Sequence, residues 1–355
     1  MKIAVAMSGG VDSSVAAYLL KQDNNDICGV TFRMSDANGS LKSDAPCLSS
    51  EDTRFAAEVA AKLDIPYHVF NYGENFRRDV VDRFVKTYAE GGTPNPCIEC
   101  NRYVKFGALL NRAESIGYPN IATGHYARVE YDSGSGRYLL KRAMDASKDQ
   151  TYVLYTLTQD RLAKIKLPLG KYTKPQIREI AAENGFTNAD RHDSQDICFI
   201  PDGDYAGFIE KYTGKADTPG DFVDSEGNVL GRHLGIMLYT IGQGKHLGIS
   251  IGRKAFVCDI DPVSRHITLG DDSMLYRKSL IAEDVNIIAC ERLDSRTRVT
   301  AKIRYSAKEA PAWAFEDDDG RLHVEFDEPQ RAITRGQSVV LYDGDIVVGG
   351  GRIIG

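Results

Sequence analysis

Two kinds of reactive group stand out in the sequence: a glycine-rich turn near its start, and cysteines set in polar segments. The turn is Ser8-Gly-Gly-Val-Asp-Ser13, and it separates an apolar run at 3–6 from a helical pattern that begins at Val11. Adjacent glycines expose backbone N–H groups to an anion, and the helix directs the positive end of its dipole to the same point. The turn therefore predicts a site for phosphate groups.

The first cysteines whose surroundings suggest a chemical role form a C-x-x-C pair, Cys97 and Cys100, in a loop stiffened by Pro94 and Pro96. A helical pattern follows at 104–116, and a helix N-terminus lowers the pKa of a nearby thiol, so a reactive cysteine is expected here. A structural zinc is the other interpretation of the pair. Zinc normally needs a second C-x-x-C or a histidine pair, and the sequence shows neither.

A third cysteine of interest is Cys198, in the segment Asp193-Ser-Gln-Asp-Ile-Cys-Phe-Ile200. The polar residues 193–196 lack packing side chains, so we expect a mobile loop beside this thiol. Strand-like apolar runs surround three other cysteines, which predicts packing roles for Cys28, Cys258 and Cys290.

The elements that must position these groups follow from the hydrophobic pattern. Short buried strands alternate with helices, and the strands are predicted at 3–6, 27–32, 67–70 and 120–124. The helical patterns between and after them lie at 11–20, 51–63, 75–88 and 104–116. This alternation predicts an α/β fold with a doubly wound parallel sheet, in which ligands bind at the carboxyl ends of the strands.

The pattern of the chain becomes more varied after residue 126, and its texture changes near residue 204. A hairpin is predicted at 127–141, an apolar helical pattern after Gln150, and helices at 175–184 and 204–212. Short strands and glycine turns then predict a small mixed domain, and period-two runs after residue 279 predict a C-terminal β-barrel. We therefore expect a catalytic domain at 1–203, a small central domain at 204–274 and the barrel at 275–355.

Length and composition limit the possible classes of protein. The chain has 355 residues, 42% of them hydrophobic and 26% charged, which is typical of a globular protein with two or three domains. No apolar run approaches a membrane span, and the first residues form a core strand, so we expect a cytoplasmic protein. Seven cysteines then indicate thiols more than structural disulfides. The net charge of −6 leaves room only for a local nucleic-acid-binding face.

The glycine turn resembles the SGGxDS signature of the PP-loop ATP pyrophosphatases, which bind ATP and release pyrophosphate; the lysine of the common P-loop is missing. Over its full length the chain resembles the tRNA-specific 2-thiouridylases. Besides the turn, the similarity is carried by Thr93-Pro-Asn-Pro96 with Cys100-Asn101, Gly124-His-Tyr126, Lys148-Asp-Gln-Thr-Tyr152, the Cys198 segment, Gly242-Gln-Gly244, Arg304-Tyr305 and Gly349-Gly-Gly351.

The resemblance implies a reaction in which ATP, with Mg²⁺, adenylates the C2 oxygen of the wobble uridine in tRNAs for Lys, Glu and Gln. Sulfur from a cysteine desulfurase or relay protein would arrive as a persulfide on Cys198, and Cys100 would act as the second nucleophile. The residues that the resemblance places around the nucleotide are Ala6, Met7, Ser8, Gly9, Gly10, Val11, Asp12, Ser13, Met34 and Gly124.

The resemblance also assigns residues to the tRNA. Asn95, Pro96 and Cys97 would line the target base, which must leave its stack to be reached. Contacts to the RNA body would come from His125, Lys148, Asp149, Gln150, Arg304, Tyr305 and Gln337. Discrimination between RNAs would rest on the shape of the RNA loop and its splayed bases, and the barrel would hold the body of the RNA.

Three alternatives remain open at this point. Many members of the family have an acidic residue where this chain has Cys97, and three thiolates (Cys97, Cys100 and Cys198) could hold an iron–sulfur cluster. The chain could also be another adenylating enzyme of the same superfamily, such as an amidotransferase-type synthetase or a lysidine synthetase. An RNA-binding protein with a vestigial ATP site is the third alternative.

Overall fold

A five-stranded parallel sheet organises the N-terminal half of the chain. The computed structural model describes residues 1–34, 50–186 and 197–355. Its first strands are β1 (Lys2–Ala6), β2 (Asp26–Arg33), β3 (Tyr67–Asn71), β4 (Asn120–Ala122), β5 (Ala127–Asp132), β6 (Arg137–Arg142) and β7 (Ile165–Lys166). Five of them pair in parallel in the order β3-β2-β1-β4-β7, so the predicted sheet is confirmed.

Helices cover both faces of this sheet. They are α1 (Val11–Gln22), α2 (Ser50–Lys62), α3 (Gly73–Phe76), α4 (Asp82–Ala89), α5 (Pro96–Glu99), α6 (Leu110–Ser115), α7 (Gln159–Leu162), α8 (Lys174–Glu183) and α9 (Tyr205–Thr213). Successive residues of β1 point to opposite sides: Ile3 belongs to a core with Val15 and Ile177, and Ala4 to a core with Phe106. Alternation of this kind is what a sheet buried on both faces requires.

The helix that carries the cysteine pair begins earlier than the sequence predicts. The prediction placed a loop up to Cys97 and a helix at 104–116, whereas α5 begins at Pro96 and continues into α6 through a π-helical segment, Cys100–Leu109. The Asn95 side chain accepts a hydrogen bond from the Cys97 N–H and proline occupies the first helical position. Such a capped start overrides the loop signal of the two prolines.

The apolar pattern after Gln150 also differs from its prediction. It forms a single 3₁₀ turn, Thr151–Leu154, before the short helix α7 and the strand β7, which the sequence did not indicate. Tyr152 and Leu154 in the turn are fully buried. These apolar residues fill the junction with the barrel, where the Tyr152 hydroxyl donates to the Ser338 carbonyl oxygen, so their spacing does not lead to a long helix.

A small four-stranded sheet follows α9. Its strands are β8 (Gly220–Val223), β9 (Val229–His233), β10 (Phe256–Asp261) and β11 (His266–Gly270), in the order β10-β11-β8-β9. Phe222, Tyr239 and Val257 are buried together in its own apolar core. This is the small mixed unit that the glycine-rich texture predicts.

The C-terminal strands close into a barrel. They are β12 (Tyr276–Ile287), β13 (Thr297–Lys302), β14 (Ala310–Glu316), β15 (Leu322–Arg331), β16 (Ser338–Asp343) and β17 (Ile346–Ile353). The order β12-β15-β14-β13-β16-β17 is closed by pairing of β12 with β17, which confirms the predicted barrel. A Cβ on Gly350 would lie 2.4 Å from the Val339 carbonyl oxygen, so the glycine run of β17 permits close packing here.

The hairpin β5–β6 belongs to this barrel sheet and not to the parallel sheet. β6 pairs with β17 through Ile346 and Lys141, and the Arg142 N–H donates to the Asp345 carbonyl oxygen at 2.8 Å. The hairpin therefore joins the first unit to the last. Among the described residues, no helix has the length and apolar character needed to cross a membrane.

Candidate functional site

The glycine turn between β1 and α1 is held in shape by its own hydrogen bonds. Gly9 has φ of +75°, and a Cβ there would lie 2.4 Å from the Asp52 carbonyl oxygen. The Ser8 N–H donates to the Ser13 hydroxyl at 3.2 Å, and that hydroxyl donates to the Gly10 carbonyl oxygen at 3.0 Å. Because these bonds order the loop, its backbone is preformed around the N-terminus of α1.

The segment after β4 packs directly against this turn. A Cβ on Gly124 would lie 2.8 Å from the carbonyl carbon of Asp12 and 2.8 Å from the nitrogen of Ser13. The hydroxyl of Tyr126 donates to the Asp12 carboxylate at 2.7 Å. The structure therefore brings Gly124 together with the glycine turn at the carboxyl edge of the sheet, as the predicted nucleotide site requires.

A lysine that no sequence motif singles out completes this edge. The ammonium of Lys174, at the start of α8, donates to both carboxylate oxygens of Asp12 at 2.8 Å, and the residue is only 6% exposed. Its sequence signal is a Thr-Lys-Pro helix start, with Thr173 and Gln176 forming a capping box. That signal identifies a helix and gives no hint that the lysine reaches the turn.

The residues at this edge fit the phosphates of a nucleotide. The close backbone approach at Gly9 and Gly124 leaves no room for side chains, and the helix N-terminus supplies partial positive charge. Of the other residues assigned to the nucleotide, Ala6 ends β1, Met7, Val11 and Ser13 are buried in or beside the turn, and Met34 is buried just after β2. The arrangement can bind ATP at the end of the sheet.

The cysteine pair lies on the first two turns of the helix that begins at Pro96. Cys97 is exposed and Cys100 is half-buried. Because the two residues are three positions apart, they are neighbours on the surface of the helix. Both lie close to the N-terminus, where the helix dipole favours a thiolate. The geometry is thus more favourable to thiolate chemistry than the loop that the sequence predicts.

Cys198 is half-buried in a tight turn in which the Ile200 N–H donates to the Ile197 carbonyl oxygen at 2.8 Å. The next residue anchors the turn, because the Phe199 ring packs against Phe76, Phe84 and Phe208 with centroids 5.6, 5.3 and 5.2 Å away. Cys100 and Cys198 both pack at the border of the same apolar core. The expected mobile loop at 193–196 lies outside the described residues.

The cysteines assigned to packing lie in apolar surroundings. Burial raises the pKa of Cys28 to about 12 and also raises the pKa of Cys258. Cys290 is half-buried against the barrel core, and desolvation raises its pKa too. A raised pKa keeps a thiol protonated and unreactive near neutral pH, which agrees with packing roles.

The barrel contacts the loop that precedes the cysteine helix. The Gln337 amide donates to the Thr93 carbonyl oxygen at 2.9 Å, and the Thr93 N–H donates to the Arg335 carbonyl oxygen at 2.8 Å. Gln337 was expected to contact tRNA, and here its amide holds the loop that ends in Asn95. The barrel thereby fixes the loop that leads into the N-terminus of the cysteine helix.

Tyr305 is an exposed aromatic residue between two strands of the barrel. It is 45% exposed, and its ring lies 5.9 Å from the Tyr152 ring and 5.5 Å from the Lys302 ammonium. Partial burial raises the pKa of Tyr305, and electrostatic interactions with Asp149 and Cys97 add to that rise. The adjacent Arg304 donates to the carbonyl oxygens of Arg331 and Ala332.

The segment Lys148–Gln150 links the nucleotide edge to the barrel. Gln150 accepts a hydrogen bond from the Tyr126 N–H at 2.9 Å, and its own N–H donates to the Tyr126 carbonyl oxygen. Asp149 accepts from the Ala143 N–H at 3.0 Å and from the Thr151 hydroxyl at 2.6 Å. These two side chains are used within the fold, and Lys148 is half-buried beside Tyr305.

His125 lies in the interior, although it was expected to contact tRNA. It is 9% exposed, its Nδ1 is 2.7 Å from the Thr123 hydroxyl, and its ring lies 5.9 Å from the Phe106 ring. Burial, helped by the nearby Lys105 charge, lowers the pKa of His125 well below its usual value. The imidazole is therefore neutral at neutral pH. Its hydrogen bond with Thr123 helps to fix the backbone just after β4.

This burial predicts a pH-dependent stability. Below pH 6.5 the unfolded chain protonates this histidine while the folded chain does not, so the free energy of unfolding falls as pH is lowered, by up to about 1.4 kcal/mol per pH unit. His125→Gln removes the group, and we expect a smaller fall in urea denaturation between pH 7.5 and 5.5. If the free energy of unfolding fell equally in wild type and variant, His125 would not be the group that causes this pH dependence.

No group of three or more His, Cys, Asp or Glu side chains within residues 1–34, 50–186 and 197–355 is arranged to hold a metal ion. In this conformation, therefore, Cys97, Cys100 and Cys198 do not present a ready cluster site. A further buried acid near the pair is Glu99, whose carboxylate is 3.9 Å from Arg83 and whose pKa is raised by burial.

Comparison with protein-family models covers nearly the whole chain. Residues 1–202 match the tRNA methyl transferase HUP domain, residues 206–271 the tRNA methyl transferase PRC-barrel domain, and residues 277–353 the aminomethyltransferase beta-barrel domain. The three matches follow the order of the parallel sheet, the small sheet and the closed barrel.

The full-length relatives are named for thiolation of tRNA and not for the methyl transfer in the names of two of these domain families. The tRNA-specific 2-thiouridylase MnmA of Clostridioides difficile is 50% identical over 352 residues, covering 99% of this chain and 98% of that protein. Those of Lachnoclostridium phytofermentans and Acetivibrio thermocellus are 50% and 49% identical, with 99% of each chain covered. A solved 4-thiouridine synthetase–RNA complex with bound ATP is 19% identical and covers 60% of this chain and 50% of its own, with a TM-score of 0.36, too low to support an inference.

Proposed function

The chain belongs to the family of tRNA-specific 2-thiouridylases, and we propose that it uses ATP to replace the C2 oxygen of a tRNA uridine with sulfur. The observation that carries this proposal is about 50% identity to thiouridylases over 99% of the chain. Shared length and sequence of this extent cover the nucleotide edge, both cysteine segments and the barrel. We place the reaction in the cytoplasm, with its tRNA substrate.

The first step is activation of a poor leaving group. The C2 oxygen attacks the α-phosphorus of ATP, the bond to the β-phosphate oxygen breaks, and pyrophosphate leaves. The turn formed by Ser8, Gly9 and Gly10 would hold the phosphates with backbone N–H groups and the dipole of α1. Mg²⁺ would neutralise charge on the phosphates, as it commonly does for ATP.

The second step is sulfur transfer by two thiols. The terminal sulfur of a Cys198 persulfide attacks C2, and the oxygen leaves with AMP. The Cys100 thiolate then attacks the Cys198 sulfur, the persulfide S–S bond breaks, and its electron pair forms the C=S group of 2-thiouridine. A disulfide between Cys100 and Cys198 remains, which a thiol reductant must reduce before the next cycle.

The sulfur donor and the tRNA partners are the ones expected for the family. We propose a cysteine desulfurase or a relay protein as donor, and the tRNAs for Lys, Glu and Gln as substrates. Asn95, Pro96 and Cys97 would line the base, since they lie at the start of the helix that carries both cysteines of the pair. The exposed Tyr305 ring would stack on RNA, while Arg304, Gln337, Asp149 and Gln150 would support that face from within.

Transcribed tRNAs test the proposal. The purified chain, ATP, Mg²⁺, cysteine and a cysteine desulfurase should produce 2-thiouridine in the tRNAs for Lys, Glu and Gln, detected by mass spectrometry of digested nucleosides. A tRNA without a wobble uridine is the control. Pyrophosphate release without any thionucleoside, on a substrate other than tRNA, would favour another adenylating enzyme of the superfamily. Tight tRNA binding without ATP turnover would favour a vestigial ATP site.

Tyr305 provides a prediction about RNA binding. Tyr305→Ala removes an exposed ring of the C-terminal domain, and we expect a loss of tRNA affinity of about 1–3 kcal/mol, since that is the usual contribution of one base–aromatic stack. The matched control is Tyr131→Ala, which removes a tyrosine that is 59% exposed on the β5 hairpin. Filter binding with labelled tRNA measures both. Equal affinities for Tyr305→Ala and wild type would remove Tyr305 from the interface.

The persulfide and iron–sulfur routes are separated by purification without oxygen. On the persulfide route, the colourless and iron-free protein still thiolates tRNA when a desulfurase supplies sulfur. A brown protein whose activity follows its iron content would instead assign Cys97, Cys100 and Cys198 to a cluster. We prefer the persulfide route, because Cys100 and Cys198 pack at the border of the same apolar core.

A further inference from the structure

We propose that Lys174 is a positioning residue that allows the glycine turn to bind polyphosphate, because it neutralises Asp12 inside the anion site. The proposal rests on the ATP-dependent reaction proposed above and adds to it a residue outside the glycine turn. The turn itself contains no lysine, and Lys174 reaches it from 162 positions further along the chain.

The positive charge of Lys174 is paired with the Asp12 carboxylate. Its ammonium lies 2.8 Å from each Asp12 carboxylate oxygen, and 8% of its side chain is exposed, against 31% for Asp12. The Tyr126 hydroxyl donates to the same carboxylate at 2.7 Å, and the ammonium lies 5.8 Å from the Tyr126 ring. Asp12 is therefore held by three hydrogen bonds from two elements outside α1.

Asp12 creates an electrostatic problem for a phosphate site. It is the second residue of α1, so its full negative charge lies where the helix dipole supplies only about half a positive charge. Left unpaired, it would repel a polyanion bound at Ser8–Gly10. Lys174 cancels this charge without occupying the turn, and the dipole and backbone N–H groups then remain available to the phosphates.

Stability alone is a weak reason for this placement. Lys174 is the first residue of α8, where a positive charge opposes the helix dipole. Removing an ammonium from water costs several kcal/mol, and buried ion pairs often return little net stability. The lysine is also held by its own backbone, since its N–H donates to the Asp145 carboxylate at 3.0 Å. Its placement is explained by what it does to Asp12.

Binding of inorganic pyrophosphate to the full chain, without tRNA, tests the inference. Isothermal titration with EDTA present should show that Lys174→Met weakens pyrophosphate binding about 10- to 100-fold, as expected for one uncompensated charge near a polyanion. Lys174→Arg should bind like wild type. The double variant Asp12→Asn/Lys174→Met should recover most of the lost affinity, because it removes the repelling charge as well.

The control is Lys164→Met, which breaks a lysine–carboxylate pair with Glu114 away from the turn. It should leave pyrophosphate affinity unchanged. A double variant that binds no better than Lys174→Met would overturn the inference, as would a Lys174→Met protein that melts at a lower temperature but binds normally. If wild type thiolates tRNA while these variants bind pyrophosphate equally, only this inference fails. If wild type binds no pyrophosphate or ATP, the proposed ATP site fails.

Discussion

Cys198→Ala is expected to abolish thiolation, with a rate loss on the order of 10⁴-fold or more, as is usual when a covalent nucleophile is removed. In the proposed mechanism this thiol carries the persulfide sulfur, whereas adenylation of the uridine needs no cysteine. The fold should survive, because Cys198 is half-buried and the neighbouring Phe199 anchors its turn. Thionucleoside formation and tRNA-dependent pyrophosphate release should be measured together.

Cys290→Ala is the matched control, since Cys290 is also half-buried but belongs to the barrel core. It should thiolate at nearly the normal rate. Cys100→Ala should also abolish turnover, but it should leave a sulfur bonded to Cys198 that mass spectrometry of the protein can detect. Thiolation by Cys198→Ala at the wild-type rate would remove the persulfide role from this residue.

Gly124→Ala is expected to weaken ATP binding about 100-fold and to lower the free energy of unfolding by about 1–3 kcal/mol, the usual cost of an overpacked site. The added Cβ would lie 2.8 Å from backbone atoms of Asp12 and Ser13, and backbone cannot move aside as a flexible side chain can. The strand end must then separate from α1, which opens the anion site. Titration with ATP and urea denaturation measure the two effects.

Gly134→Ala makes the same chemical change in an open hairpin turn, where the new Cβ would have no neighbour closer than 3.6 Å. It should change ATP affinity and stability little. If Gly124→Ala bound ATP as Gly134→Ala does, the close packing of Gly124 on α1 would have no part in the nucleotide site.

Local signals in the sequence were enough to predict the units of the fold. The β-branched run before Ser8 and the glycine turn predicted β1 and α1, because buried parallel strands and anion-binding turns have short-range signatures. Period-two runs likewise predicted the barrel strands. The family resemblance added the activity, which the similarity over the whole chain confirms.

Long-range features could not be predicted in the same way. Nothing local to the β5–β6 hairpin indicates that it pairs with β17, and nothing near Lys174 indicates its bond to Asp12. The helix start at Pro96 depended on a single side-chain cap from Asn95. His125 is buried and the Gln150 side chain accepts a hydrogen bond from the Tyr126 N–H, and neither feature can be predicted from a motif, since a motif does not show whether a side chain faces outward.

The most direct test of the proposed mechanism traces the C2 oxygen of the wobble uridine. A substrate tRNA for Lys, Glu or Gln is prepared with ¹⁸O at C2 of its wobble uridine and incubated with the enzyme, ATP and the sulfur donor. Because adenylation transfers that oxygen to the α-phosphate, we expect ¹⁸O in the AMP that is released, in amounts equal to the 2-thiouridine formed. Label that remains in the RNA or appears in water, with unlabelled AMP, would contradict the mechanism.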